Sequence, residues 1–108
     1  MAEQHKTLKE RVKPVVPALV DLTDRVLFGE VWERPGLSKR DRSLITIAAL
    51  IATGRTEPLA DHLVIGRRNG ISDAELSEAI THLAFYAGWP SAMTAARVAL
   101  ETLGKAEP

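Results

Sequence analysis

The chain has 108 residues, the length of one domain, with 45% apolar and 26% charged residues, which is a globular composition rather than a disordered one. Its 14 basic and 14 acidic residues cancel, so no net basic field draws it to nucleic acid or to an anionic membrane. It has no cysteine, which excludes disulfides, thiolate catalysis and cysteine-based metal centres.

The opening MAEQHKTLKERVK is charged and lacks the apolar centre of a secretory signal. It reads as a flexible tail over residues 1–13, ahead of a single domain over 14–108. A first helix is predicted over about residues 15–28. Pro14 and Pro17 mark its entry, and Val16, Leu19, Val20, Thr23, Val26 and Leu27 form one apolar face at helical spacing. The connection FGEVWERPGLS follows, with Gly29 and Pro35-Gly36 read as loop punctuation.

Ser38 is a suitable N-cap for a second helix, Asp41 suits its first turn, and Gly54 ends it. From Ser43 to Gly54 there is no charged side chain, and a helix without a solvated face is expected to be buried all round. Its apolar-rich run LITIAALIA (44–52) is far short of the ~20 residues a membrane helix needs. A soluble, cytoplasmic protein is therefore expected.

A third helix spans about Thr56 to Arg68. Pro58 is tolerable in its first turn, and Asn69-Gly70 supplies a left-handed stop. Ser72-Asp-Ala-Glu75 is a capping box that starts a fourth helix, with Leu76, Ala79, Ile80, Leu83 and Ala84 on one face. Gly88 ends it. Pro90 opens a fifth helix, whose Ala92, Ala95, Ala96 and Ala99 form a stripe of small residues that lets a neighbouring helix come close. The reading is all-α, with about five helices, no convincing strand and no internal repeat.

The candidate chemistry centres on His62, which falls on the apolar stripe of Leu59, Leu63 and Gly66. It is either a core histidine satisfied by a hydrogen bond or a proton-transfer group, since imidazole titrates near neutral pH. Gly66, one turn on, would leave room for a ligand beside the ring. Glu57 in the first turn of the same helix is either dipole compensation or a carboxylic acid at the mouth of the His62 pocket. Arg42, a cation in the first turn of the second helix, either pairs with a surface carboxylate or clamps a substrate carboxylate, and Arg55 invites the same two readings. His82 sits four residues after Glu78, as an exposed pair would. Trp32, Tyr86 and Trp89 are simplest as packing or interface aromatics. No metal-ligand spacing is present, and Gly-rich phosphate loops are absent.

Residues 28–98 resemble the carboxymuconolactone decarboxylase family, on the strength of RSLITIAALIATGR, of the His62-x6-Asn69-Gly70 motif, of EAITHLAFYAGWPSAM, and of their order. The wider superfamily includes alkylhydroperoxidase-like proteins with a CxxC ahead of the histidine. Here Arg55 to Pro58 stand in its place, so thiol peroxidase chemistry is out. The resemblance implies an alkylhydroperoxidase-like helical bundle, assembled as a homo-trimer or homo-hexamer with the site near subunit contacts. It implies a cofactor-independent carboxy-lyase of aromatic-compound catabolism, acting on a small carboxylated lactone that is its own electron sink. No metal, cofactor, nucleic acid or membrane partner is called for. In that scheme His62 donates a proton or stabilises an oxyanion, Glu57 relays the proton, and Arg42 or Arg55 holds a carboxylate. The alternatives are a non-catalytic small-ligand-binding or assembly protein on the same scaffold, and a related proton-transfer isomerase.

Overall fold

The computed structural model describes residues 6–104; the first five residues of the expected tail, His5 among them, lie outside it. The described residues form six α-helices and no strand: α1 (Leu8–Val12), α2 (Pro17–Leu22), α3 (Lys39–Ala52), α4 (Thr56–Arg68), α5 (Asp73–Tyr86) and α6 (Trp89–Leu103). The chain divides into two compact units, Met1–Lys39 and Arg40–Pro108.

The first unit begins with a helix that the sequence reading passed over. Thr7 caps α1 by accepting from the Glu10 N–H, and the Glu10 carboxylate accepts from the Thr7 N–H, 2.8 Å away. Pro17 then opens α2, where its missing N–H costs nothing. From Thr23 to Val31 the helix continues in the wider π form, closed by the Trp32 N–H donating to the Leu27 carbonyl at 2.9 Å. Gly29 was expected to be loop punctuation; it lies inside this stretch instead. A Cβ on it would stand 3.0 Å from the Asp24 carbonyl oxygen, so the wide turn needs a residue without one. Of the predicted apolar face, Val20 is buried, whereas Leu19, Val26 and Leu27 are exposed. Trp32 is buried, its ring 5.5 Å from that of Phe28.

The second unit holds the main core. Ile47 and Ile51 of α3, Leu59 and Leu63 of α4, Ile71, Leu76 of α5, and Ala95 and Val98 of α6 form one buried cluster. Helix α6 packs against both α4 and α5, and the buried Ala92 and Ala95 keep that approach close. Helix α3 departs from its expectation. It buries Ser43, Ile47 and Ile51 on one face but leaves Ile45, Ala49 and Ala52 exposed. The uncharged segment therefore covers one neighbour and presents a second apolar face outward.

Two helix ends follow their sequence signals. Ser72 accepts from the Glu75 N–H and the Glu75 carboxylate accepts from the Ser72 N–H, completing the capping box of α5. At the end of α4 the left-handed residue is Gly70 (φ +104°), not Asn69 (φ −86°). The Ile71 N–H donates to the Gly66 carbonyl at 2.9 Å and the Gly70 N–H to that of Arg67 at 3.1 Å, which is a Schellman closure. Among the described residues no helix is long and apolar enough to cross a membrane.

Candidate functional site

Two contacts tie α3 to the C-terminal part of α4. Ser43, fully buried, accepts a hydrogen bond from the Asn69 amide at 3.0 Å. One turn along α3 and one turn back along α4, Ile47 lies over Gly66. The expected role of Gly66 is corrected here. A Cβ at this position would meet Ile47 Cδ1 at 2.9 Å and Ile71 Cδ1 at 3.3 Å, so the space beside it is filled by core side chains rather than left for a ligand.

His62 lies one turn further back. It is half-buried, with Nδ1 fully enclosed. Burial holds its pKa below the ordinary 6.5, and the adjacent Asp61 carboxylate offsets this only in part. At neutral pH the imidazole is therefore uncharged, with one N–H to donate and one nitrogen lone pair to accept.

The turn of α4 decides which of the other candidates on that helix share its side. Arg55, the exposed residue preceding α4, is seven positions before His62; that is about 20° short of two full turns, on the same side of the helix and about 10 Å away along the axis. Glu57, also exposed, is five positions before and about 140° round, on a different side. Arg42 is half-buried near the start of α3, beside Ser43, with its Nε enclosed. Along α4 the helix geometry lines up Arg55 with His62 and sets Glu57 on a different side. His82 is exposed and stacks on the Tyr86 ring at 4.7 Å between centroids.

A separate concavity contains none of these residues. It is a groove of about 500 Å³ between α5 and α6, floored by Ile80, Ala84, Ala92 and Ala99 and flanked by Trp89 and Met93. Beside it Phe85 and Tyr86 are 74% and 78% exposed, and Phe85 meets Trp89 edge-on at 5.6 Å. The Ser43–Asn69 bond was missed in the sequence, where Asn69 was read only as a turn residue. The available signal was a hydroxyl at the head of the uncharged run, with Thr46 the next polar residue.

The family pattern of carboxymuconolactone decarboxylases matches residues 17–101. The 4-carboxymuconolactone decarboxylase of Acinetobacter baylyi is 47% identical over 77 residues, which cover 71% of this chain and 58% of that protein. Nitrosuccinic acid decarboxylase of Metarhizium robertsii is 37% identical over 76 residues, 70% of this chain and 53% of its own length. The chain thus spans a little over half the length of these curated relatives. With the family pattern running through α2 to α6 and both relatives far above chance identity, the chain belongs to the carboxymuconolactone decarboxylase family.

Proposed function

We propose that this chain carries a cofactor-independent decarboxylase activity on a small carboxylated lactone or a closely similar activated carboxylic acid, with His62 as the group that handles the proton. The observation that carries the reading is the 47% identity to a protein named 4-carboxymuconolactone decarboxylase, over a stretch that includes α4. The two relatives' names point to a shared chemistry. A carboxylated lactone and a nitro-substituted diacid can each take up the electron pair left when the C–CO2 bond breaks, one in a dienolate and the other in a nitronate. Carbon dioxide leaves, the pair rests on oxygen, and a proton is then delivered to carbon.

The neutral imidazole of His62 fits both halves of that sequence. Its N–H can hydrogen-bond the developing oxyanion. An anionic substrate alongside favours the imidazolium, which raises the ring's pKa on binding and loads it with the proton that carbon receives. Arg55, on the same side of α4, supplies a cation for a substrate carboxylate. Glu57 is the candidate for relaying the proton, and Arg42, with its enclosed Nε, is a second candidate for holding a carboxylate.

Assembly belongs to the same reading: a homo-oligomer, trimeric or hexameric, with the site near subunit contacts. The exposed Ile45 face of α3 and the aromatic surface beside the α5–α6 groove support it, since clustered exposed apolar residues mark interaction surfaces. The deciding experiment is an assay of the purified chain for CO2 release from 4-carboxymuconolactone and from nitrosuccinate, with His62→Leu in parallel. Turnover that disappears in the variant is the expected result. Turnover of neither compound, or equal turnover by His62→Leu, overturns the reading.

A further inference from the structure

Between α3 and the end of α4 lies a buried polar contact. Asn69 Nδ2 donates to Ser43 Oγ at 3.0 Å, and Ser43 is 0% exposed. Neither residue is needed there by local structure. Gly70 supplies the left-handed turn that ends α4. The closing bonds of that turn come from the backbone of Gly70 and Ile71. An apolar pair would also satisfy α3 and α4 as packing surfaces, because a hydrophobic interface tolerates sliding that a directed hydrogen bond does not.

The contact is placed to act on His62. Asn69 is seven residues after His62, on the same side of α4 to within about 20°. Between them Gly66 brings α3 so close that Ile47 occupies the position of its missing side chain. A slip of α3 against α4 by part of a turn would carry Ile47 off Gly66, one helical turn from His62.

We propose that Asn69 is a positioning residue for His62: through its hydrogen bond to Ser43 it fixes the axial register of α3 against α4, and with it the orientation and enclosure of the imidazole. This rests on the reading of His62 as the proton-handling group. It goes beyond that reading by giving the Asn of the His62-x6-Asn69-Gly70 motif a task separate from ending a helix.

The test uses Ser43→Ala and Asn69→Leu in the intact protein. Ser43→Ala deletes only one oxygen and suits a helix, so it keeps the question open if Asn69→Leu folds poorly. Two readouts are taken: the imidazole NMR resonances of His62 without substrate, and kcat and KM separately. The expected result is that both variants shift the His62 resonances and lower kcat by roughly 10- to 100-fold, the scale of a misplacement below about 1 Å, with a smaller change in KM. Asn69→Asp, which can accept from the Ser43 hydroxyl, is expected to restore much of kcat. If both variants leave the His62 resonances and kcat as in the parent and lose only thermal stability, Asn69 is structural and the proposal fails. The resonances need no substrate. A parent protein inactive on the compounds above but with shifted resonances in the variants refutes the decarboxylase reading while leaving the positioning role standing.

Discussion

Gly66→Ala separates two accounts of the α3–α4 seam. In an exposed helix interior the change is favourable by about 1 kcal/mol, because glycine surrenders more backbone freedom than alanine. Position 66 is not exposed. The added methyl would stand 2.9 Å from Ile47 Cδ1, 3.3 Å from Ile71 Cδ1 and 3.7 Å from Ser43 Cβ. Ile47 and Ile71 are themselves 1% and 4% exposed, so neither can swing into solvent. Overpacking of this kind costs typically about 1–3 kcal/mol. Set against the helix gain, the expected net loss is about 1 kcal/mol, which lowers Tm by roughly 4–8 °C in a domain of this size. Thermal and urea unfolding, followed by circular dichroism at one fixed protein concentration, measure it. A variant more stable than the parent by about 1 kcal/mol would refute the packing argument. It would mean that the space beside Gly66 is open, as a ligand pocket there requires.

If His62 handles the proton, His62→Leu should keep the fold and assembly while turnover falls by about 10²–10⁴-fold; an active variant rules that role out. His62→Gln is the companion: partial turnover indicates oxyanion stabilisation and none indicates proton transfer. The lowered pKa of His62 also predicts a pH effect on folding. The unfolded chain binds the proton more readily than the folded one, so this contribution is complete above the ordinary 6.5 and is lost as pH falls from there through the folded value. Urea unfolding of parent and His62→Leu across that range should show a steeper acid loss in the parent, and parallel profiles would contradict it. Arg55→Ser should raise KM for a carboxylated substrate well above its effect on kcat, and an unchanged KM removes Arg55 from substrate binding. Met93→Glu should weaken self-association in light scattering, whereas a parent that is monomeric at micromolar concentration removes the assembly reading altogether.

The elements legible in the sequence were those whose signals are local. The Ser72–Glu75 capping box, Pro17 at a helix start and the Leu76–Ala84 stripe each act within a turn or two and appear where expected. Thr7-x-x-Glu10 carries the same signature as Ser72-x-x-Glu75 but went unread, because its surroundings are charged and no apolar run follows. The π-helical stretch was illegible for another reason: Gly29 marks a loop or a close backbone approach with equal force, and only the Asp24 carbonyl decides between them. The site was legible as a set of residue types and not as an arrangement. Arg42, Arg55, Glu57 and His62 all suit the chemistry. Which of them share a side of α4, and that Asn69 reaches Ser43, depend on the register between two helices, which no single helix encodes.

Helix α4 shows where local rules give way. Most of it obeys them: Leu59 and Leu63 are buried, Gly66 admits α3, Arg67 and Arg68 sit at the end where cations are favoured, and Gly70 closes the turn. Two residues do not. Arg55 occupies the N-cap, where a short oxygen-bearing side chain is preferred, and brings a positive charge to the positive end of the helix dipole without a side-chain cap. His62 occupies a half-buried place that depresses its own protonation, where leucine would pack without that cost. Folding alone gives no reason for either choice, and conflicts between local preference and fold are expected to gather at working sites. These two lie on one side of one helix, about two turns apart. A substrate carboxylate bound as proposed would relieve both, by neutralising the cation at the helix start and by favouring the charged imidazole.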